Sequence, residues 1–420
     1  MERFPHGFLW GASTAAYQVE GDNERSAFTA WERSEGWEPC GRAADSWRLW
    51  PEDLRCLRAL NLGAYRFSVE WSRVMPAPGV FDDAVLARYA RMAEDCVRAG
   101  VRPIVCLHHF SEPGWLFREV PEGWRSPRVL EHFLPFVERT VRALGPSVRD
   151  WLTFNEPMVG LLAGYAMGRF PPGRRRYLGL SSLFERELLP NVARAHREAR
   201  ALIAGLAPLA RVGLAQNVAD VEPATPSPGD VEAARVFDRF MHTDLLARVR
   251  GELDFIGVNY YTRILVSKAR LPFFPLGVVP GYAELESALG PGLFRLLGGR
   301  RGTRPRTDMG WEIAPEGLGR VVSRLWREFR LPLIVTENGV ADASGVARKD
   351  YIHRHLESLL GAIGDGAKVE GYLHWSLMDN YEWGSYAPKF GLYRVDRTNF
   401  ARTLAPGAEY YARVARSNSL

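Results

Sequence analysis

Lysine is nearly missing: only four of the 54 basic residues are lysine and the rest are arginine. That bias fits a GC-rich genome or a hot habitat. The basic residues look scattered among 49 acidic ones, and the net charge is +5. The densest basic run, Arg174-Arg175-Arg176, follows a Pro-Pro-Gly loop and reads as solvated, so a nucleic-acid partner is not expected. Cysteine is scarce too. Cys40, Cys56, Cys96 and Cys106 form no C-x-x-C pair and no metal-ligand spacing, which predicts buried reduced thiols, a cytoplasmic protein and no metal site. No apolar run approaches the ~18 residues of a membrane helix, so no membrane partner is expected. The N-terminal "FPHGFLWGASTAAYQVEG" has only a weak basic start and is crowded by Trp10, Tyr17, Gln18 and Glu20, which favours a first strand over a leader peptide. A linker, a low-complexity tract and a short-period repeat are all lacking, so residues 1–420 are read as a single domain.

What the chain does have is apolar material for a large core: 46% hydrophobic and 12% aromatic residues over 420 positions. Eight short apolar segments alternate with longer helical ones. They are 7–13, 63–71, 101–109, 150–156, 211–218, 253–261, 331–338 and 369–377. Their near-continuous apolar character predicts a parallel sheet covered by helices. Eight such units point to an α/β fold, a single (β/α)8 TIM barrel with long βα loops forming a pocket at the C-terminal face. A doubly wound sheet is the alternative, but no G-x-G-x-x-G follows an early strand. Within 83–99, Leu86, Tyr89, Ala93, Cys96 and Val97 share one predicted helical face, and Gly100 stops the helix. Pro51 reads as the first residue of another helix. His353 and His355 fall on a predicted outer helix and are expected at the surface.

The connection from about 262 to 313 is long and unusually apolar. It predicts either a small unit burying its own side chains or a lid over a pocket, with Phe273 and Phe274 on the lid's inner side.

Polar residues gather where the strands should end: Arg66 and Glu70, His108 and His109, Asn155 and Glu156, Asn217, Asn259 and Tyr261, Glu337 and Asn338, then Trp375. One polar strand end is ordinary; seven suggest a shared site. Glu156 closes the fourth strand and Glu337 the seventh, on facing sides of the predicted mouth. A facing carboxyl pair suits cleavage of a glycosidic bond, with one acid to protonate the leaving oxygen and one carboxylate to attack. Amides and imidazoles suit sugar hydroxyls, tryptophan suits a pyranose face, and no cofactor is called for.

"FLWGASTAAYQVEG", "YRFSVEWSRV", "LHHFSEP", "TFNEP", "GVNYYT", "DMGWEIAPEGL", "TENG" and "WSLMDNYEW", in this order, resemble glycoside hydrolase family 1, the β-glucosidase and β-galactosidase family. The resemblance implies a retaining, exo-acting β-glycosidase for small β-glycosides or oligosaccharides, and leaves a homo-oligomer open. It implies Glu156 as acid/base and Glu337 as nucleophile. Gln18, His109, Asn155 and Glu382 would bind hydroxyls of the terminal sugar, Trp375 would be its platform and Trp383 would stand beside Glu382. Arg66 and Tyr261 would hydrogen-bond the nucleophile, with Asn259 near the reacting pair. Phe110 departs from the family's usual tryptophan. Proximity to a second carboxylate is expected to raise the Glu156 pKa toward about 6. A 6-phospho-β-glycosidase or a transglycosidase of the same family is the alternative, disfavoured for the phosphate case by Glu382 and Trp383.

Overall fold

The computed structural model describes residues 3–176, 178–271 and 275–420. Eight strands form the barrel: β1 (Leu9–Ser13), β2 (Ala64–Ser68), β3 (Arg102–His108), β4 (Asp150–Asn155), β5 (Arg211–Asn217), β6 (Phe255–Asn259), β7 (Leu333–Asn338) and β8 (Val369–Trp375). All neighbours are parallel, and β1 closes on both β2 and β8. The expected (β/α)8 barrel is the observed one, with each predicted segment containing its strand.

Strands buried on both faces need apolar residues at every position, and β4 and β7 are buried throughout. Ile104, Cys106, Leu152, Ala215, Phe255, Ile334 and Leu373 pack together as one buried cluster. The register then sets polar residues level at the strand ends. Ser13 faces both Arg66 and Trp375, and Asn259 faces both Asn217 and Glu337. The glycine of "TENG" has a steric reason. A Cβ on Gly339 would lie 1.9 Å from the Trp375 carbonyl oxygen, so any side chain would push β7 and β8 apart.

Several local expectations change. The helix Asp83–Arg98 ends just before Gly100, which has φ +74°, but Val97 is 52% exposed and lies off the buried face. Pro51 sits inside the helix Ser46–Ala59, whose winding breaks at Leu49 (φ −99°, ψ 23°). Pro51 therefore falls in the first turn of the helical run that follows the break, as its sequence suggested, where a proline leaves no backbone hydrogen bond unmade. His355 is fully buried, stacked 3.7 Å from Tyr351, because the helix Arg348–Gly364 presses this side inward. His353 receives or gives a hydrogen bond at Tyr410 (2.7 Å). The four cysteines are buried and unpaired.

The long connection after β6 builds a small unit together with a strand from the connection after β5. Strands Asp220–Pro223, Arg263–Lys268 and Val278–Pro280 form a sheet, and Ala269, Val279, Phe294 and Leu297 make a separate apolar cluster. Phe273 and Phe274 lie outside the described residues. The far end of the connection does reach the barrel mouth: Met309 and Trp311 pack against the cluster of Ala15, Tyr261, Ala341, Trp375 and Phe390.

Candidate active site

Glu337 and Glu156 are both buried at the barrel mouth, 4% and 7% exposed, and their surroundings differ. Glu337 Oε1 accepts from the guanidinium of the fully buried Arg66, and its Oε2 accepts from the Tyr261 hydroxyl at 2.6 Å. Both oxygens of this carboxyl are thus held by donors, one of them a full cation. Glu156 has no cation of its own. Its Oε1 accepts amide hydrogens from Asn259 at 2.8 Å and Asn217 at 3.1 Å. Burial, and then the charge of Glu337, push Glu156 up to about 8, against the pull of those two amides. The rise is larger than the sequence suggested, and removal from water rather than the second carboxylate is its main cause.

The backbone presents Glu156 at a bend. It adopts a left-handed conformation (φ 45°, ψ 51°) between the end of β4 and a helix Pro157–Tyr165 whose first residue is proline. Such a conformation costs a non-glycine residue roughly 1–2 kcal/mol, and here it turns the chain from strand into helix within one residue. Pro157 has no N–H to leave unsatisfied at that position.

Asparagines tie the pair together. Asn155 Oδ1 accepts from Arg66 and from Asn259 Nδ2 (2.9 Å), while Thr336 donates to Asn259 Oδ1 at 2.6 Å. Asn155 Nδ2 lies 3.1 Å from His109 Nε2. Burial, then Arg66 and His108, drive the His109 pKa well below its usual value, so the ring is neutral. Asn155 therefore donates to Nε2, and the proton sits on Nδ1. That Nδ1 has no protein partner, and neither does Gln18 Oε1. Gln18 Nε2 donates to Asn380 Oδ1, the Tyr381 carbonyl and Glu382 Oε2 (3.1, 2.9 and 3.2 Å). Burial, and then Glu337, raise Glu382 to about 8. The His109 ring stacks on Trp375 (5.9 Å) and on Trp383 (6.2 Å). Trp383, itself at φ 41°, packs on Tyr17, Phe28, Phe110 and Phe170 as part of an aromatic wall. Phe110 takes the place of a tryptophan in that wall and brings no N–H donor.

All eleven residues expected at the site, Gln18, Arg66, His109, Asn155, Glu156, Asn259, Tyr261, Glu337, Trp375, Glu382 and Trp383, thus lie in one connected set of hydrogen bonds and ring contacts. Three other strand-end residues do not join it. Glu70 is held by Ser72 and Ser111 (2.6 Å each), His108 packs between Trp124 and Phe154, and Asn338 is bound to Tyr260, Tyr351 and Tyr372. Alternation along the strand sends these side chains away from their neighbours His109 and Glu337. Two contributors had no role assigned from sequence. Asn217 was visible as an amide closing β5, level with Asn259. Trp311, 5.3 Å from Tyr261, comes from a loop with no periodicity to place it. Among the described residues no cluster could hold a metal ion.

The comparisons decide the family. The model for glycosyl hydrolase family 1 matches residues 1–247 and 241–420. The chain belongs to glycosyl hydrolase family 1. It is accordingly a β-glycosidase. Beta-glucosidase A of Thermotoga maritima is 26% identical, with 100% of this chain and 99% of that protein covered. A 6-phospho-beta-galactosidase of Clostridium acetobutylicum is 27% identical, with 100% and 98% covered. Among solved structures, the beta-glycosidase from Pyrococcus horikoshii superposes with a TM-score of 0.89 at 30% identity, covering 100% of this chain and 96% of that one.

Proposed function

We propose that the chain, as one catalytic domain, removes the terminal β-linked sugar of an unphosphorylated glycoside by double displacement, with Glu337 as nucleophile and Glu156 as acid and then base. The observation that carries this is the unequal dressing of the two carboxylates. Arg66 and Tyr261 hold both oxygens of Glu337 in place for attack on the anomeric carbon, while Glu156 holds its proton up to about pH 8 and can give it to the departing oxygen. When Glu337 becomes an ester its charge is gone. Glu156, having lost its proton to the aglycone, is then a stable carboxylate that can take a proton from the incoming water.

Gln18 Oε1 and His109 Nδ1–H, buried and without protein partners, supply one acceptor and one donor for sugar hydroxyls, beside Glu382 and over the face of Trp375. The Clostridium relative named for phosphorylated substrates gives the alternative its weight. Glu382 argues against it here, because the carboxyl held by Gln18 offers a phosphate dianion no cation to pair with.

The test is Glu337→Gly assayed on a nitrophenyl β-glucoside. Turnover should fall by about a thousandfold or more. Formate or azide should restore it and give a product of opposite anomeric configuration, because the anion attacks from the vacated face. Undiminished turnover without added anion would remove Glu337 from the mechanism.

A further inference from the structure

The positive charge of the chain is concentrated in two connections. Residues 166–183, after β4, hold four arginines and no acidic residue, and residues 269–306, after β6, hold six arginines and two glutamates. Together these segments carry +8 where the whole chain carries +5, so everything else sums to −3. Genome-wide arginine usage does not explain such a partition. Arg169, Arg174, Arg175, Arg176, Arg300 and Arg306 are exposed, and none forms an ion pair.

The same two segments, under a seventh of the chain, also hold four of the ten large apolar residues exposed among the described ones. These are Leu178 (70%), Leu271 (39%), Leu293 (45%) and Leu296 (65%). The two segments meet. The helix Leu180–Leu183 packs against the turn Pro275–Gly277. The Arg270 N–H donates to the Leu297 carbonyl at 3.1 Å, which sets Leu271 beside the helix Pro291–Leu296. Both connections leave the C-terminal ends of strands, the end of the barrel that carries Glu156 and Glu337.

Leucines turned out to solvent around the mouth do not fit a small ligand inside it. A cationic face studded with them fits a broad partner that is both anionic and apolar. We propose that this face docks the enzyme on anionic lipid bilayers, with the barrel mouth toward the lipid, so that the terminal sugar of a glycolipid can enter the site. Sequence gave no such partner, because its expectation rested on the lack of a spanning segment. No described helix is long and apolar enough to cross a membrane, and peripheral docking needs none. The glycolipid step rests on the β-glycosidase reading; the docking step does not.

Co-sedimentation of the intact protein with vesicles tests docking separately from catalysis. Binding is expected to phosphatidylcholine vesicles containing phosphatidylserine, not to phosphatidylcholine alone, and to be lost at high salt. Reversing Arg174, Arg175 and Arg176 together to Glu should lower partitioning by about a hundredfold. Leu178→Ser with Leu296→Ser should lower it by about tenfold, and both variants should hydrolyse a soluble nitrophenyl glycoside as the parent does. Absence of binding to the anionic vesicles would overturn the proposal. So would equal binding to neutral vesicles, or binding that the leucine substitutions leave unchanged while DNA or heparin competes fully, which would mark a general polyanion site.

Discussion

Two amides on one carboxylate give Asn217 and Asn259 a sign that can be checked. Each donates to Glu156 and each lowers its pKa, against burial and Glu337, which raise it. With Glu156 as the proposed acid, which acts only when protonated, kcat/KM should fall as pH rises through about 8. Asn217→Ala removes one donor that favours the charged form, so the alkaline limb should move to higher pH, while the step in which Glu156 serves as base slows. A pH–rate profile of the variant reads both effects, and an alkaline limb that stays in place would separate it from Glu156. At this scale the sequence was most legible where chemistry and spacing coincide. Glu156, Glu337 and Tyr261 sit at or just past strand ends and Arg66 within β2, each where a polar residue interrupts an apolar run. Trp311 was illegible because its contact with Tyr261 is made across a loop, and His355 because a buried histidine on a helix has the same local signature as an exposed one.

At the level of elements, the β7–β8 seam bears Glu337 and Trp375, and Gly339 sets how closely the strand ends approach. Gly339→Ala would drive its Cβ against the Trp375 carbonyl, 1.9 Å away, with backbone on both sides. A loss of about 1–3 kcal/mol in urea unfolding is expected, with activity falling by more than the unfolded fraction explains because Glu337 shifts with β7. Unchanged stability would mean that the seam relaxes freely. The strands themselves were readable in sequence because burial on both faces leaves little choice of residue. The helices were less so. Val97 continues a helical period but stands one position past the buried Cys96 and is turned to solvent, and Pro51 does open a helical run, one that a preceding turn joins across the break at Leu49.

Across the whole molecule, buried titratable groups set a stability profile. Glu156 and Glu382 are raised to about 8, Glu20 to about 7 and Asp53 to about 6, so over those ranges the native state holds protons the unfolded chain has lost. His196 is lowered to about 4, and His355 and His374 to about 3, so below the ordinary histidine range the native state lacks protons the unfolded chain holds. The two sets oppose each other below about pH 6.5. Above it the carboxyls act first and the buried thiols, which are raised too, join them toward pH 8.5, so Tm should decline from pH 6.5 to 8.5. The double variant Glu156→Gln, Glu382→Gln should flatten that decline in a calorimetric series, and an unchanged slope would assign it elsewhere.

The mouth of the barrel gathers three carboxyl groups around the single guanidinium of Arg66. In the proposed mechanism, esterifying Glu337 therefore does more than store a sugar. It removes the charge that, after burial, does most to raise Glu382, so that carboxyl should give up its proton more readily while the ester lasts. Catalysis should exchange protons with the medium out of step with bond cleavage. A fluorinated glycoside that traps the intermediate should give, in an indicator-dye stopped-flow experiment, a pulse of acid that Glu382→Gln abolishes.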